Sequence, residues 1–241
     1  YLLVEENRAA FIENNTAHAV PLLLEALEKA GRGPEDVDYI IITHIHLDHA
    51  GGTGALLAAC PNALVVAHPR AERHLIDQTR LVSSAKKVYG EEQFQQLYGV
   101  IRPVPGERIR VVDDHEQLRF GERTLMFLHT PGHAKHHICI HDSATNGVFT
   151  GDAFGLALPE LQSGTRPFVI CSTAPTDFDP GEAHRSVHRI VDTGAERVYL
   201  THFGELSPLE PAAKVLLESI ADAEHVYTEA LALERFGAEL E

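Results

Sequence analysis

The chain of 241 residues contains no tryptophan and a single methionine, and aromatic residues make up only 7% of it. A hydrophobic core must therefore be built mainly from aliphatic side chains. Hydrophobic residues total 44% of the chain. A chain of this length and composition can bury a substantial core.

Cysteine is also scarce, with Cys60, Cys139 and Cys171 scattered along the chain. An odd and sparse set of cysteines excludes a disulfide framework. Cys139 stands in an alternating apolar segment, which predicts a buried position in the core. No signal peptide is visible, and this predicts a cytoplasmic location for a chain that begins at Tyr1 without Met.

Basic residues are few, since 20 lysines and arginines face 35 acidic residues and the formal net charge is -15. Such a surface repels nucleic acid and anionic membranes. No apolar run approaches the length that spans a bilayer. We therefore expect neither a nucleic acid nor a membrane as a partner.

One stretch organises the sequence: residues 43–52, which read Thr-His-Ile-His-Leu-Asp-His-Ala-Gly-Gly. It directly follows the short, β-branched run 39–42, which predicts a buried strand. A loop at the end of a strand is a usual place for reactive groups held by a rigid scaffold. Four potential metal ligands lie within six positions of this loop.

The spacing of these ligands indicates two metal ions. In an extended segment His44 and His46 point the same way, so they can bind one ion together. Asp48 and His49 fall in the turn and the helix start, and they point elsewhere. Imidazole and carboxylate ligands suit zinc or iron better than calcium or magnesium.

The remaining pattern alternates short strands with helices, which indicates a layered α/β fold in one domain over residues 1–241. Residues 69–99 are predicted to be a helical insertion with Pro69 at a helix start. The irregular segment 153–179 is predicted to form a wall of the pocket. Strands are predicted at 1–5, 9–13, 39–42, 64–67, 108–112, 117–120, 124–128, 138–141, 148–150 and, as the last strand, 198–200. The other helices are predicted at 19–30, 51–59 and 180–191, and one or two helices are predicted over 208–236.

The motif His-x-His-x-Asp-His after an apolar strand resembles the metallo-β-lactamase superfamily. The later motifs of that family have similar counterparts in order, at residues 130–133 (Thr-Pro-Gly-His), 150–152 (Thr-Gly-Asp) and 201–204 (Thr-His-Phe-Gly). The resemblance implies a four-layer αβ/βα sandwich. It also implies an opening hairpin, which in the family often follows a further strand that is absent here.

The resemblance further implies seven ligands around two divalent ions, in the first instance zinc, with iron or a mixed iron–zinc pair as alternatives. The first ion would be held by His44, His46 and His133, the second by Asp48, His49 and His202, and Asp152 would bridge both. Asp48 would also be the catalytic residue that orients the nucleophile and can take its proton. His137 would contact a metal ligand on the side away from the ion and orient it.

The family usually has Asp and then Gly after its second strand, where this chain has Glu13 and Asn15. Asparagine tolerates the left-handed backbone that glycine would permit. The departure leaves open how the metal loop is supported. His68 and His74 match no motif, and we expect them at the surface or behind a ligand.

The function implied is a metal-dependent hydrolase, in which a metal-bridging hydroxide attacks the ester, thioester or lactone carbonyl of a small-molecule substrate. The alternatives are a non-haem iron oxidoreductase similar to the persulfide dioxygenases, and a metal-binding module without turnover. The acidic stretch after Pro211 argues against the glutathione recognition of glyoxalase II relatives, whereas lactonase activity stays open. A homodimer stays open as the assembly, and no Gly-x-Ser-x-Gly elbow suggests a serine hydrolase.

Overall fold

The computed structural model describes residues 1–162, 166–174 and 177–232. The chain divides into two compact units. Unit 1 comprises Tyr1–His129 and His136–Thr145, and unit 2 comprises Thr130–Lys135 and Asn146–Glu241. The single domain expected over residues 1–241 stays a prediction.

A five-stranded sheet forms the centre of unit 1. The first two strands are antiparallel, and the second to fifth run parallel to their neighbours. Parallel strands need long crossovers between them, which here contain the helices. In sheet order the strands are β1 (Leu2–Glu5), β2 (Arg8–Ile12), β3 (Val37–Ile41), β4 (Leu64–Ala67) and β5 (Ile109–Val111).

Six α-helices lie in the crossovers of unit 1. They are α1 (Val20–Lys29), α2 (Leu47–Ala50), α3 (Thr53–Ala59), α4 (Glu72–Ile76), α5 (Thr79–Tyr89) and α6 (Glu91–Tyr98). The helix expected at 51–59 is α3, and a separate short helix before it, α2, contains Asp48 and His49. The prediction that residues 69–99 are largely helical is confirmed.

The predicted helix start at Pro69 is wrong, because the chain first makes a turn at that point. The side chain of His68 accepts a hydrogen bond from the Arg70 N–H through Nδ1, at 2.9 Å. The Ala71 N–H donates to the carbonyl of His68 at 2.8 Å. These bonds close a turn around Pro69, and α4 follows it.

The core of unit 1 is aliphatic, as the composition predicts. Strand residues such as Phe11, Ile40 and Val65 pack in one buried cluster with Leu27 of α1 and Leu56 of α3. These five side chains have no exposed surface. Ile40, Ile41 and Ile42, directly before residues 43–52, are completely buried, and this fixes the position at which that loop begins.

Three further strands of unit 1 form an antiparallel ribbon: β6 (Gln117–Phe120), β7 (Arg123–His129) and β8 (Ile138–Asp142). Cys139 is completely buried in β8, which confirms its predicted core position. At one end of the ribbon, the Arg123 guanidinium contacts Glu5 Oε1 at 2.8 Å and Asp142 Oδ2 at 3.0 Å. The Asp142 side chain has no exposed surface, so this arginine neutralises a buried charge.

We expect Arg123→Met to lower the free energy of unfolding by about 3 kcal/mol at pH 7, because it leaves the buried Asp142 carboxylate without its cation. The Arg123 hydrogen bond also lowers the pKa of Glu5 from its ordinary value of 4.5. A carboxyl group whose pKa is lower in the folded than in the unfolded state stabilises the fold at pH values above its unfolded-state pKa. This stabilisation is lost as the pH falls through its folded-state pKa.

The difference in free energy of unfolding between wild type and Arg123→Met should therefore become smaller below about pH 4.5. Urea unfolding at pH 7 and pH 4 measures both effects. Arg119→Met, which changes an exposed arginine of β6, is the matched control and should stay within about 0.5 kcal/mol of wild type. An equal loss in both variants would contradict the expectation.

Unit 2 contains β9 (Gly147–Gly151), β10 (Arg197–Leu200), β11 (Gly204–Leu206), α7 (Pro180–Val191) and α8 (Leu209–Ala232). Strand β10 runs parallel to β9 and antiparallel to β11. The expectation that residues 198–200 form the last strand is wrong. Phe203 and Gly204 have φ values of 77° and 95°, and these left-handed residues turn the chain back into β11.

Helix α7 begins where the sequence predicts. Asp179 caps it by accepting a hydrogen bond from the Glu182 N–H at 2.9 Å, and Pro180 fills the first helical position. The predicted helix 208–236 is one helix up to Ala232, and its last four positions lie outside the described residues. Within the described part of the chain, no helix combines the length and the hydrophobicity that crossing a bilayer requires.

The segment 153–179 has little regular structure, as expected. It contains a short 3-10 helix, Pro159–Leu161, and a bridge between Leu156 and Ile170. Positions 163–165 and 175–176 lie outside the described residues. The role of this segment as a pocket wall stays a prediction.

Candidate metal centre

His44 and His46 follow β3, and their rings meet edge to face with centroids 4.5 Å apart. His44 Nε2 lies 2.9 Å from His46 Nδ1. Two nitrogens bound to one tetrahedral zinc at about 2.0–2.1 Å would be roughly 3.3 Å apart. The pair therefore needs little movement to bind one ion, as the alternation of side chains along the strand predicts.

The back of His44 is held in place by neighbours. Its Nδ1 lies 3.0 Å from Thr43 Oγ1, and the ring of His137 stacks on it with centroids 4.9 Å apart. The Ile138 N–H donates to the Thr43 carbonyl at 2.8 Å. The expected role of His137, orienting a ligand, is consistent with this stacking.

Asp48 and His49 lie in α2, which is a single turn, and the ring of His49 packs against that of His44 with centroids 4.1 Å apart. His49 Nε2 is 3.5 Å from Asp48 Oδ2. His49 is completely buried, whereas the Asp48 side chain is 49% exposed. A substrate or a water molecule can therefore reach Asp48, while His49 is enclosed by protein.

Glu13 holds this loop from behind. Its Oε1 accepts a hydrogen bond from the Thr43 N–H at 2.6 Å, and its Oε2 is hydrogen-bonded to His49 Nδ1. Glu13, His44 and His49 offer ligand atoms that lie within 4.8 Å of one another. Because one oxygen of Glu13 holds the Thr43 N–H and the other holds His49 Nδ1, Glu13 is placed to orient His49.

The departure from the family pattern at residues 13–15 is accommodated by the backbone. Glu13 and Asn15 have φ values of 66° and 57°, so asparagine does adopt the left-handed conformation. The Gly52 N–H donates to the Asn15 carbonyl at 2.8 Å. A Cβ atom on Gly52 would come 2.8 Å from the Thr16 carbonyl oxygen, so the approach of these loops requires glycine there.

We expect Glu13→Gln to weaken zinc binding about 10- to 100-fold, because an amide cannot accept from both Thr43 and His49. Titration of zinc into the metal-free protein measures this change. Glu6→Gln makes the same substitution at another glutamate with positive φ, 50°, which lies exposed in the turn after β1. Equal affinities of the two variants would show that Glu13 does not orient His49.

Asp152 lies between two histidines of unit 2. Its Oδ2 lies 3.4 Å from His133 Nε2, and its Oδ1 lies 3.4 Å from His202 Nε2. Each carboxylate oxygen thus faces a different imidazole. This is the arrangement that a carboxylate bridging two ions needs.

The loop that carries His133 is held by the start of α7. Gly132 has a φ of 131°, and a Cβ atom there would come 2.4 Å from the Ala183 nitrogen. The Gly132 carbonyl accepts from the Asp179 N–H at 2.8 Å, and the Pro131 carbonyl accepts from Ser186 Oγ at 2.6 Å. A larger residue at Gly132 would push this loop from the helix.

Ser172 was not found by reasoning from the sequence. Its hydroxyl donates to Asp152 Oδ2 at 2.9 Å, and its carbonyl accepts from His133 Nδ1–H at 3.0 Å. It lies in the irregular segment after Asp152, where no periodicity and no motif marks it.

His68 and His74 were expected at the surface or behind a ligand. His68 is buried, and its ring packs on His129 with centroids 4.2 Å apart. Burial, and then repulsion from His129, lowers the pKa of His68 to about 4. His68 is therefore neutral near neutral pH and acts as a core residue at the end of β4.

The family model for the metallo-beta-lactamase superfamily matches residues 7–202. The chain belongs to this superfamily, which confirms the resemblance and the predicted α/β sandwich class. Membership implies binding of divalent metal, and the imidazole and carboxylate donors described above are of the kinds that fit zinc or iron.

The chain is similar to ST1585, a metallo-beta-lactamase fold-containing protein of Sulfurisphaera tokodaii, with 28% identity over 178 residues, 72% of this chain and 63% of that protein. The crystal structure of ST1585 matches with a TM-score of 0.72 at 24% identity, covering 90% of this chain and 77% of the other. That likeness shows the fold alone.

Two other relatives carry the name of an activity. A hydroxyacylglutathione hydrolase of Aeromonas hydrophila is 25% identical over 217 residues, 89% of this chain and 65% of the relative. The human acyl-coenzyme A thioesterase MBLAC2 is 27% identical over 139 residues, 53% of this chain and 44% of the relative. The chain spans less than two thirds of the length of each of these three curated relatives.

Proposed function

We propose that the protein is a metal-dependent hydrolase that cleaves the carbonyl bond of a small ester, thioester or lactone. In this proposal the seven ligands inferred by resemblance bind two divalent ions, in the first instance zinc. The first ion would be bound by His44, His46 and His133, and the second by Asp48, His49 and His202, and Asp152 would be shared between them.

The arrangement of Asp152 carries this proposal. Its two oxygens each face one imidazole, at equal distances of 3.4 Å. A carboxylate that only capped a helix or balanced one cation would need no such symmetry. A shared carboxylate is the usual way to keep two ions about 3.5–4 Å apart.

Bound divalent ions lower the pKa of water and polarise a carbonyl oxygen, so they supply a nucleophile near neutral pH. The chain's own groups do the rest. Asp48 is accessible, and its carboxylate accepts a proton from the attacking water and fixes the direction of attack. The enclosed imidazoles of His44 and His49 keep their positions because Thr43 and Glu13 hold them from behind.

Acyl compounds are the preferred substrate class for two reasons. The relatives named above include a hydroxyacylglutathione hydrolase and an acyl-coenzyme A thioesterase. A net charge of -15 disfavours a polyanionic substrate such as RNA. Among acyl compounds, we place thioesters and lactones first.

The proposal is tested by removal of metal. Protein purified without added metal should contain zinc, and it should hydrolyse members of a panel of thioesters, lactones and phosphodiesters. Treatment with a chelator should lower turnover at least about 10³-fold, and added zinc should restore it. Metal analysis by mass spectrometry and a spectrophotometric thiol assay measure the two quantities.

The alternatives predict different results in the same experiment. A non-haem iron oxidoreductase would contain one iron per chain and consume oxygen with a persulfide substrate. A binding module would retain metal without turning over any member of the panel. Either result would refute the proposed hydrolase.

A further inference from the structure

Ser172 is hydrogen-bonded to two of the proposed metal ligands at once. Its hydroxyl donates to Asp152 Oδ2, and its own carbonyl accepts from His133 Nδ1–H. The distances are 2.9 and 3.0 Å. One residue therefore bonds both to the shared carboxylate and to an imidazole that faces it.

These bonds also determine which atoms of the two ligands stay available to an ion. Because the Ser172 carbonyl takes the Nδ1–H of His133, the ring nitrogen available to an ion is Nε2, which lies 3.4 Å from Asp152 Oδ2. The hydroxyl of Ser172 occupies one acceptor direction of Oδ2 and leaves another for an ion. Both contacts therefore favour the forms of Asp152 and His133 that bind metal.

The segment that carries Ser172 is itself anchored to helix α8. The Cys171 N–H donates to Ser219 Oγ at 3.1 Å, and Cys171 Sγ lies 3.6 Å from the Ser219 carbonyl oxygen. The backbone next to Ser172 thus has a support that touches neither Asp152 nor His133. This gives the chain a matched pair of serines, one bonded to the ligands and one bonded only to their support.

We propose that Ser172 is a positioning residue that pre-organises Asp152 and His133 for metal. The inference rests on the proposed function, because it assumes that these two residues are ligands. It goes beyond that function in assigning a role to a residue that no motif marks. A residue that orients ligands typically changes metal affinity about 10- to 100-fold when its bond is removed.

The test is a zinc titration of three metal-free proteins: wild type, Ser172→Ala and Ser219→Ala. A chromogenic chelator that competes for zinc reports the affinity, and far-ultraviolet circular dichroism checks the fold. Each variant loses one hydroxyl at a site that is not fully buried, so both should fold. Cobalt in place of zinc gives a visible spectrum that reports the geometry around the ion.

We expect Ser172→Ala to bind zinc about 10- to 100-fold more weakly than wild type and to show a changed cobalt spectrum. Ser219→Ala should keep the wild-type spectrum and an affinity within about threefold of wild type. Equal affinities of wild type and Ser172→Ala would overturn the role of Ser172 and leave the hydrolase proposal standing.

Two other outcomes also count against the inference. If Ser219→Ala weakens zinc binding as much as Ser172→Ala, the serine merely supports the segment and does not position the ligands. If wild type binds no zinc, the inference falls together with the proposed function. The wild-type titration thus separates failure of the function from failure of Ser172 alone.

Discussion

His46→Ala is expected to abolish zinc binding at the first ion and to lower hydrolysis on the order of 10³-fold, equivalent to about 4 kcal/mol of transition-state stabilisation. His46 Nδ1 lies 2.9 Å from His44 Nε2, so the substitution removes one half of a convergent donor pair. The remaining imidazole cannot chelate an ion alone, and a catalytic zinc usually has three protein ligands.

The substitution should lower stability little, because His46 is only partly buried. The buried ring of His44 keeps its contacts with Thr43 and His137 in the variant. Metal content and turnover should therefore fall together while the thermal midpoint of the metal-free form stays close to that of wild type. His225→Ala is the control, since His225 lies exposed on α8 and contacts Glu229. Full turnover of His46→Ala would refute the proposed mechanism.

Asp152→Asn is expected to have a comparable or larger effect, with loss of at least one ion per chain and a fall in turnover on the order of 10³-fold or more. The change preserves shape but removes the negative charge. It also replaces one oxygen acceptor by an NH₂ donor. The new donor would point at His133 Nε2 or at His202 Nε2, the atoms that face the two oxygens in wild type.

Asp177→Asn is the matched control, because Asp177 is a surface carboxylate of unit 2 that pairs with Lys135 at 3.3 Å. It should keep wild-type metal content and turnover. Zinc stoichiometry and initial rates at saturating substrate decide the outcome. Two ions per chain and unchanged rates in Asp152→Asn would mean that this carboxylate is not shared between ions.

The elements with strong periodicity could be predicted from the sequence. Strand β4 is found where its apolar run predicts it, and α7 begins at the Asp-Pro pair that caps it. The convergence of His44 and His46 also follows from the sequence, because side chains two apart on an extended segment share a face. These are local properties, so the residues of each segment are enough to predict its structure.

The errors in prediction arise at short turns, where single contacts between close neighbours decide the structure and no periodicity marks them. The start of α4 is delayed because the side chain of His68 closes a turn at Pro69. Strand β11 has three residues and pairs only because the chain reverses at Phe203 and Gly204. A strand of three residues is too short to show the alternation of apolar and polar side chains that would predict it.

The supports of the proposed ligands are the hardest part to foresee. Glu13 could be located through its place in the family pattern, but its two acceptors are visible only in the structure. Ser172 contacts Asp152 across 20 positions of sequence and His133 across 39. The bond to His133 is made by the backbone carbonyl of Ser172. Every residue type has this carbonyl, so the residue type at position 172 could not have predicted the bond.

The closeness of His44 Nε2 and His46 Nδ1 has a consequence for acid–base balance. Two ring nitrogens 2.9 Å apart can share a single hydrogen between them. An ion that binds both nitrogens must displace that hydrogen, which moves to the other nitrogen of its ring when both imidazoles are neutral. Because each imidazole must be neutral to bind metal, protons of an acidic medium compete directly with the cation.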